Sequence, residues 1–144
     1  MCAAILSTLG DKFDVSAFLT VSPLKEYAER GEDGFQVIVS GEEKLQAQIT
    51  ACVSFIRRHQ AELKRLREAP GVEGVDFRVA YFWDEGVAAL AYTLPEELHA
   101  ALTDIRATLT FCVYPCSKEE PNQSLQRNAS TGPVSNFESP ARRG

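Results

Sequence analysis

The chain has 144 residues, of which 44% are hydrophobic, and its formal net charge at pH 7 is −5. This length and composition predict one domain with an ordinary apolar core. Residues 1–115 carry 17 acidic and 11 basic side chains, so we expect no general affinity for nucleic acid or anionic membranes, whereas a basic protein partner would suit this charge.

The first forty residues predict two strands with a short helix between them. Residues 2–9 form an apolar run that ends at Gly10, and this run predicts the first strand. Asp14 is a favourable N-cap for a helix over residues 15–20. A charged stretch follows, which we interpret as a loop, and residues 35–39 are rich in residues that favour a second strand.

Residues 41–70 predict one long amphipathic helix, on which we expect the rest of the fold to be organised. Ser40 is the predicted N-cap, and Glu43 three residues later completes a capping box. Pro70 and Gly71 end the helix. Its apolar side chains recur in steps of four and three, which keeps them on one face. We call this face the apolar seam, and it comprises Leu45, Ile49, Cys52, Ile56, His59, Leu63 and Leu66.

The clearest strand pattern lies at residues 75–81, where apolar and polar residues alternate. Residues 83–86 predict a hairpin turn, with its partner strand over residues 87–92. A helix over residues 95–108 and a last strand over residues 109–114 complete the pattern.

The predicted element order is β-α-β-α-β-β-α-β. Such a mixture of strands and helices favours an α+β fold, and we predict a two-layer sandwich in which one long helix packs on a mostly antiparallel sheet of about five strands. Residues 1–115 would form this single domain. Residues 116–144 are rich in Ser, Asn, Pro and Gly and predict a disordered C-terminal tail.

Location is predicted from what the sequence lacks. No run of apolar residues approaches the roughly 18 that span a bilayer. The first residues also lack the basic start and the length of a signal peptide. The sequence therefore predicts a cytoplasmic protein that does not bind a membrane.

No stretch carries a recognised catalytic, metal-binding or phosphate-binding motif, so the sequence predicts no cofactor and no metal. One enzymatic hypothesis stays open, in which Asp11, Asp14 and His59 supply acid–base groups that act on a small molecule. A turn, a helix cap and a core-edge histidine explain these three residues more simply. The basic side chains within residues 57–67 lack interleaved aromatic residues, so they predict a solvated helix face rather than a nucleic-acid site.

Trp83, Asp84 and Glu85 place an aromatic ring beside two carboxylates at the predicted hairpin tip. Exposed aromatic residues beside charges often mark protein contacts, so these three are the candidate protein-contact residues. The alternative is a tryptophan that folds onto the edge of the core. A further hypothesis is a structural homodimer formed through the apolar seam, because the spacing of the seam is similar to that of a coiled coil.

Several short stretches resemble an uncharacterised bacterial domain family of unknown function. They comprise Gly10-Asp11-Lys12-Phe13-Asp14, Pro23, Tyr27, Arg30-Gly31 and Phe111-Cys112-Val113-Tyr114. The resemblance spans residues 2–115 and implies a small, single-domain intracellular protein. Some members of the family are proposed to be immunity proteins, which neutralise a toxin delivered by a neighbouring cell. On this resemblance we expect a protein-binding domain with a toxin as its partner, either monomeric or homodimeric.

Overall fold

The structure is a computed structural model that describes residues 3–31, 33–84, 86, 89 and 91–116, without the side chains of residues 84 and 116. The predicted C-terminal tail therefore lies outside the described residues, except for residue 116. By its internal contacts the chain divides into two compact units. The first comprises residues 1–82 and 89–114, and the second comprises residues 83–88 and 115–144.

Five strands and four α-helices form the part of the chain that the structure describes. In chain order they are β1 (Ala4–Leu9), α1 (Val15–Thr20), β2 (Ala28–Arg30), β3 (Phe35–Ser40), α2 (Leu45–Arg58), α3 (Gln60–Arg67), β4 (Gly74–Asp84), α4 (Glu96–Asp104) and β5 (Thr108–Cys116), with a short 3-10 helix (Pro23–Glu26) before β2. The strands form one mixed sheet in the order β2-β3-β1-β4-β5. The predicted α+β class and the sheet of five strands are thus confirmed.

The directions of the strands make the sheet mixed. β1 pairs antiparallel with β3 on one side and with β4 on the other, and β2 pairs antiparallel with β3. β5 runs in the same direction as β4, because Thr108 bonds to Asp76 near the start of β4 and Tyr114 stacks on Phe82 towards its end. Parallel neighbours need a crossover connection, and α4 lies in this one.

Two regions of the sheet differ from the prediction. The predicted partner strand over residues 87–92 is not seen at the positions that the structure describes, because Ala89, Ala91 and Tyr92 adopt no regular structure; residues 87, 88 and 90 lie outside the described residues. The fifth strand is instead β2, which comes from the charged stretch predicted to be a loop. β2 pairs with β3 through backbone hydrogen bonds. The pattern of charged side chains in the sequence does not predict such bonds.

The core lies between the sheet and the helices. Alternate residues of three central strands are buried in it, namely Ala4, Leu6, Phe35, Val37, Val75, Phe77 and Val79. The helices contribute Phe18, Leu19, Ile49, Cys52, Ile56, Leu63, Leu66, Leu98 and Leu102. Val75, Phe77 and Val79 are therefore buried as the predicted alternation requires, but Asp76 and Ala80 of the other phase are also buried, each 5% exposed.

The predicted long helix is divided in two at His59. α2 ends there and α3 begins after it, because the His59 backbone (φ −113°, ψ 27°) leaves the helical range. The hydrogen bonds around the break are retained, from the His59 N–H to the Phe55 carbonyl (3.0 Å) and from the Leu63 N–H to the His59 carbonyl (2.8 Å). Ile56 and Leu63 are both buried, so the apolar seam is continuous although the helix is not.

α2 also begins later than predicted, at Leu45. The predicted cap, Ser40, instead accepts a hydrogen bond from the Glu42 N–H (3.0 Å) in the preceding loop. The Nε2 of Gln48 donates to the Glu43 carbonyl (3.3 Å). The side chain of Gln48 in α2 thus holds the carbonyl of Glu43 in the preceding loop. This bond favours a non-helical loop before Leu45.

Gln48 also joins α2 to the sheet. It is completely buried, and it lies close to the point where the pairing of β4 with β1 ends at Arg78. Its side-chain amide takes the place of a further strand residue, since Oε1 accepts from the Ala80 N–H (2.8 Å) and Nε2 donates to the Ala80 carbonyl (2.9 Å). Both backbone groups of Ala80 are thereby satisfied inside the protein.

We expect the Gln48→Leu variant to lose about 2–4 kcal/mol of unfolding free energy, because the Ala80 N–H and carbonyl would stay buried without partners. Urea denaturation measures this difference. Gln46→Leu is the matched control, since Gln46 is exposed on the same helix, and it should change the stability by less than about 0.5 kcal/mol. Equal losses in the two variants would contradict the role of Gln48.

Two glycines allow the loop after β1 to pack against the loop before β4. Gly10 (φ +142°) and Gly71 (φ +87°) adopt backbone conformations that favour glycine. A Cβ on Gly10 would collide with the Gly71 carbonyl oxygen, and a Cβ on Gly71 would collide with the Lys12 carbonyl. At the same junction the Glu73 N–H donates to the Leu9 carbonyl (2.8 Å).

The Gly10→Ala variant should be destabilised by more than about 2 kcal/mol, because both its torsion and the collision oppose a side chain. Gly41→Ala is the control, because an added Cβ there meets nothing within 4 Å. Thermal unfolding compares the two proteins. If Gly10→Ala were as stable as Gly41→Ala, the two loops would not pack as closely as the structure shows.

Candidate functional site

The sheet has a second face, opposite the core, which we call the outer face. It is formed by Ser7, Gln36, Ile38, Asp76, Arg78, Phe82, Thr108, Thr110 and Tyr114. Ser7 lies in register with Gln36 on β3 and with Asp76 on β4. This face is polar around Ser7 and becomes aromatic towards the ends of β4 and β5.

At the aromatic end, Phe82 and Tyr114 form an exposed pair. Their ring centroids are 5.5 Å apart, and the ring planes differ by 28°. Phe82 keeps 36% of its surface exposed, and Tyr114 keeps 45%. Aromatic side chains that already stack on each other lose little conformational freedom when a partner covers them. This end of the outer face is therefore suited to protein contact.

β5 adds exposed apolar side chains at one edge of the sheet. Among the described strands it stands last in the strand order, next to β4. Phe111 and Val113 are 36% and 52% exposed, and Val113 precedes Tyr114 in the chain. An edge strand presents backbone N–H and C=O groups with which another chain can pair. The edge of β5 and the aromatic pair therefore lie next to each other, with Phe111 and Val113 on one face of the sheet and Tyr114 on the other.

Asp76 marks the polar end of the outer face, where it is buried beneath β5. Its Oδ1 accepts hydrogen bonds from the hydroxyls of Thr108 (2.7 Å) and Thr110 (3.0 Å). Hydrogen bonds of this kind compensate for the burial of a polar group. Asp76 therefore joins β5 to β4, which is a structural role.

Two of the contact residues predicted from the sequence, Trp83 and Asp84, lie at the end of β4. Trp83 is half-buried, Asp84 is the last residue of the strand, and both belong to the second unit. The side chain of Asp84 and the whole of Glu85 lie outside the described structure. The role of these three residues in protein contact therefore stays a prediction.

Reasoning from the sequence did not identify Phe82 and Tyr114 as surface residues. The sequence did contain a signal for Phe82. In the alternation of β4, Phe82 falls in the same phase as Asp76 and Arg78, and side chains of that phase point away from the core. Tyr114 had no such signal, since the sequence does not show that β5 lies parallel beside β4.

Asp11, Asp14 and His59 lie in a turn, at a helix cap and at a helix junction, respectively. Asp14 is the N-cap of α1, as predicted, and accepts from the Ala17 N–H (3.0 Å). It also lines a cavity of about 470 Å³ between α1 and the end of α3, which neither Asp11 nor His59 lines. Asp11 is exposed in the turn after β1. The cavity that Asp14 lines therefore does not gather the three residues of the enzymatic hypothesis.

His59 is a partly buried histidine at the junction of α2 and α3. Its ring lies 4.5 Å from that of Phe55 and 6.3 Å from that of Tyr27, centroid to centroid. Burial lowers the pKa of His59, the charge of Arg58 lowers it further, and Glu62 opposes both effects. His59 therefore stays neutral to a lower pH in the folded chain than in the unfolded one.

This shift predicts a loss of stability in acid. Since the folded pKa lies below the usual 6.5, the unfolded chain binds more protons as the pH falls through 6.5, and the free energy of unfolding decreases until the folded His59 is also protonated. We expect the decrease between about pH 7.5 and pH 5 to be smaller in His59→Asn than in the wild type. Urea denaturation at each pH measures it.

His99→Asn is the control for this experiment, because the chain has two histidines and His99 is exposed on α4. It should keep the full acid-dependent decrease in stability. A decrease that is the same in wild type and His59→Asn would show that the pKa of His59 is not lowered by folding.

The basic side chains of α3 make contacts within the chain. Arg65 forms an ion pair with Glu62 (2.6 Å), and its guanidinium lies 4.2 Å from the ring centre of Phe18. The hydrogen bond from Arg65 holds the pKa of Glu62 below its usual value. Lys64 lies 3.5 Å from the carboxylate of Asp104. These contacts agree with the predicted solvated helix face.

Within the described ranges, no three His, Cys, Asp or Glu side chains are grouped so that they could hold a metal ion. No helix in that part of the chain has both the length and the apolar character needed to cross a membrane. Comparisons with models of protein families, with curated proteins and with solved structures found no match. The resemblance to the bacterial family therefore stays a prediction.

Proposed function

We propose that this chain is a small protein-binding domain whose partner packs on Phe82 and Tyr114 and along β5. The exposed aromatic pair at the end of the outer face carries this proposal, because aromatic side chains supply much of the binding energy at protein interfaces. Trp83, Asp84 and Glu85, which directly follow Phe82 in the sequence, stay separate candidates for protein contact.

The edge position of β5 supports a partner that adds a strand to the sheet. In this mode of recognition, backbone hydrogen bonds supply affinity and alternate side chains supply specificity. Phe111 and Val113 are exposed on one face of β5, and Tyr114 is exposed on the other. A strand added to β5 would therefore place its own side chains beside these three.

The charge of the chain supports a basic partner. The net charge is −5, and opposite charge speeds the association of two proteins until salt screens it. An immunity protein that neutralises a basic toxin in the cytoplasm would use such a surface. Our proposal includes this role and this location.

The two alternatives have less support. A homodimer formed through the apolar seam would need exposed seam residues, whereas Ile49, Ile56 and Leu63 are at most 1% exposed because they pack in the core of the chain itself. The enzymatic alternative needs a cavity that gathers its acid–base groups, and Asp14 lines its cavity without Asp11 or His59.

We expect Tyr114→Ala to weaken partner binding by about 2 kcal/mol, or roughly thirtyfold, because it removes half of the aromatic pair. The stability should change by less than about 1 kcal/mol, since Tyr114 lies on the surface and is 45% exposed. The experiment compares the proteins that co-purify with the wild type and with the variant from the same lysate. A partner should be retained by the wild type and lost by the variant.

Tyr27→Ala is the matched control, since Tyr27 is a tyrosine with 57% of its surface exposed, and it contacts His59 rather than the outer face. This variant should retain the same partner. A partner that both variants retain, or that both lose, would place the contact elsewhere on the molecule and overturn the proposed surface.

A further inference from the structure

A cavity lies at the polar end of the outer face, between the ends of β1, β2 and β3. Its volume is about 360 Å³. The lining residues that carry polar or charged side chains include Ser7, Glu29, Asp33, Gln36 and Arg78. Arg30 also lines the cavity, but its guanidinium donates a hydrogen bond to the Ser16 hydroxyl. The cavity thus combines the hydroxyl of Ser7 and the guanidinium of Arg78 with two carboxylates.

Two of these groups are buried without a hydrogen-bond partner among the described residues. Ser7 is 5% exposed, and its Oγ has no partner; the Nε of Arg78 is also buried and has none. Leaving a buried donor unsatisfied is unfavourable, and such groups in native proteins call for an explanation. Both residues line the same cavity, so one ligand group can satisfy both.

Two neighbouring oxygens, Oδ1 of Asp76 and the hydroxyl of Thr8, already make other hydrogen bonds. Asp76, which pairs with Ser7 across the strands, accepts hydrogen bonds from two threonine hydroxyls through Oδ1. The hydroxyl of Thr8 bonds to the backbone of Phe35. The carboxylate of a ligand in this cavity could accept from an arginine and a hydroxyl together.

The opposite side of the cavity carries negative charge. Glu29 lies in register with Gln36, and Gln36 lies in register with Ser7. Because neighbouring strands are about 4.8 Å apart, the Glu29 backbone is about 10 Å from that of Ser7. Asp33, which is exposed, also lines the cavity. If the carboxylate of a ligand lies at Ser7 and Arg78, the other end of the ligand therefore lies near carboxylates of the protein. A cationic group is favoured at that end.

We propose that this cavity binds a small zwitterionic ligand, with Arg78 and Ser7 bonded to its carboxylate and Glu29 and Asp33 facing its cationic group. The separation of the two sides favours a ligand whose charges are several bonds apart. This site is independent of the proposed protein contact at Phe82 and Tyr114, because it uses other side chains.

Titration of the full-length chain with 6-aminohexanoate tests the proposal, with hexanoate and hexylamine as probes that carry one of the two charges. Nitrogen-15 NMR follows the Nε–H of Arg78 and the side-chain amide of Gln36. We expect 6-aminohexanoate to shift these signals and to bind at least about tenfold more tightly than either single-charge probe.

Arg78→Met should weaken binding of 6-aminohexanoate by about tenfold or more, because it removes a charge-assisted hydrogen bond. Arg58→Met is the matched control, since Arg58 is an exposed arginine on α2, and it should bind as the wild type does. If Arg78→Met does not fold, Ser7→Ala gives the same test with a smaller expected loss.

Three results would overturn the proposal. They are the absence of shifts at about 50 mM 6-aminohexanoate, equal affinity for hexanoate or hexylamine, and affinity that neither Arg78→Met nor Ser7→Ala reduces. The first would show that the cavity binds no ligand of this kind. The second would show that one side of the cavity has no part in binding, and the third would place the ligand elsewhere.

Discussion

Two side chains complete the hydrogen bonding of the sheet where the pairing of β1 ends, and the rest of the fold depends on them. Gln48 bonds to both backbone groups of Ala80 and so fixes α2 on β4. At the opposite end of β1, the Thr8 hydroxyl accepts from the Phe35 N–H (2.9 Å) and lies 3.5 Å from the Phe35 carbonyl. Each buried peptide group left without a partner costs about 1–3 kcal/mol, so these side chains determine where β1 can end.

The exposed aromatic surface follows from the same constraint. Because the pairing of β1 with β4 ends at Arg78, the last part of β4 continues to Asp84 with β5 as its described neighbour. Phe82 and Tyr114 therefore project from a part of the sheet that is narrower than the rest. A longer β1 would place a further strand beside Phe82 and cover part of the surface that we propose for a partner.

The sequence predicts those features that depend on local pattern. The Asp14 cap of α1 and the burial of Val75, Phe77 and Val79 in the core are confirmed, because capping and the phase of a strand are properties of a few consecutive residues. The break at His59 was missed, since a change in one backbone torsion leaves the apolar spacing intact. Gln48 was missed because a polar residue among apolar ones gives no sign of a partner on a distant strand. Part of the aromatic surface was missed for the same reason. Tyr114 contacts Phe82 only because the crossover connection places β5 beside β4.

Amide hydrogen exchange measured by NMR tests the central claim, that the Ala80 N–H is held by the Gln48 side chain inside the core. Exchange rates report residue by residue whether an amide opens locally or only on global unfolding. We predict that the Ala80 amide exchanges as slowly as that of Phe77 in the middle of β4, and therefore only on global unfolding. An Ala80 amide that exchanges as fast as that of Gly41 in the exposed loop would contradict the claim.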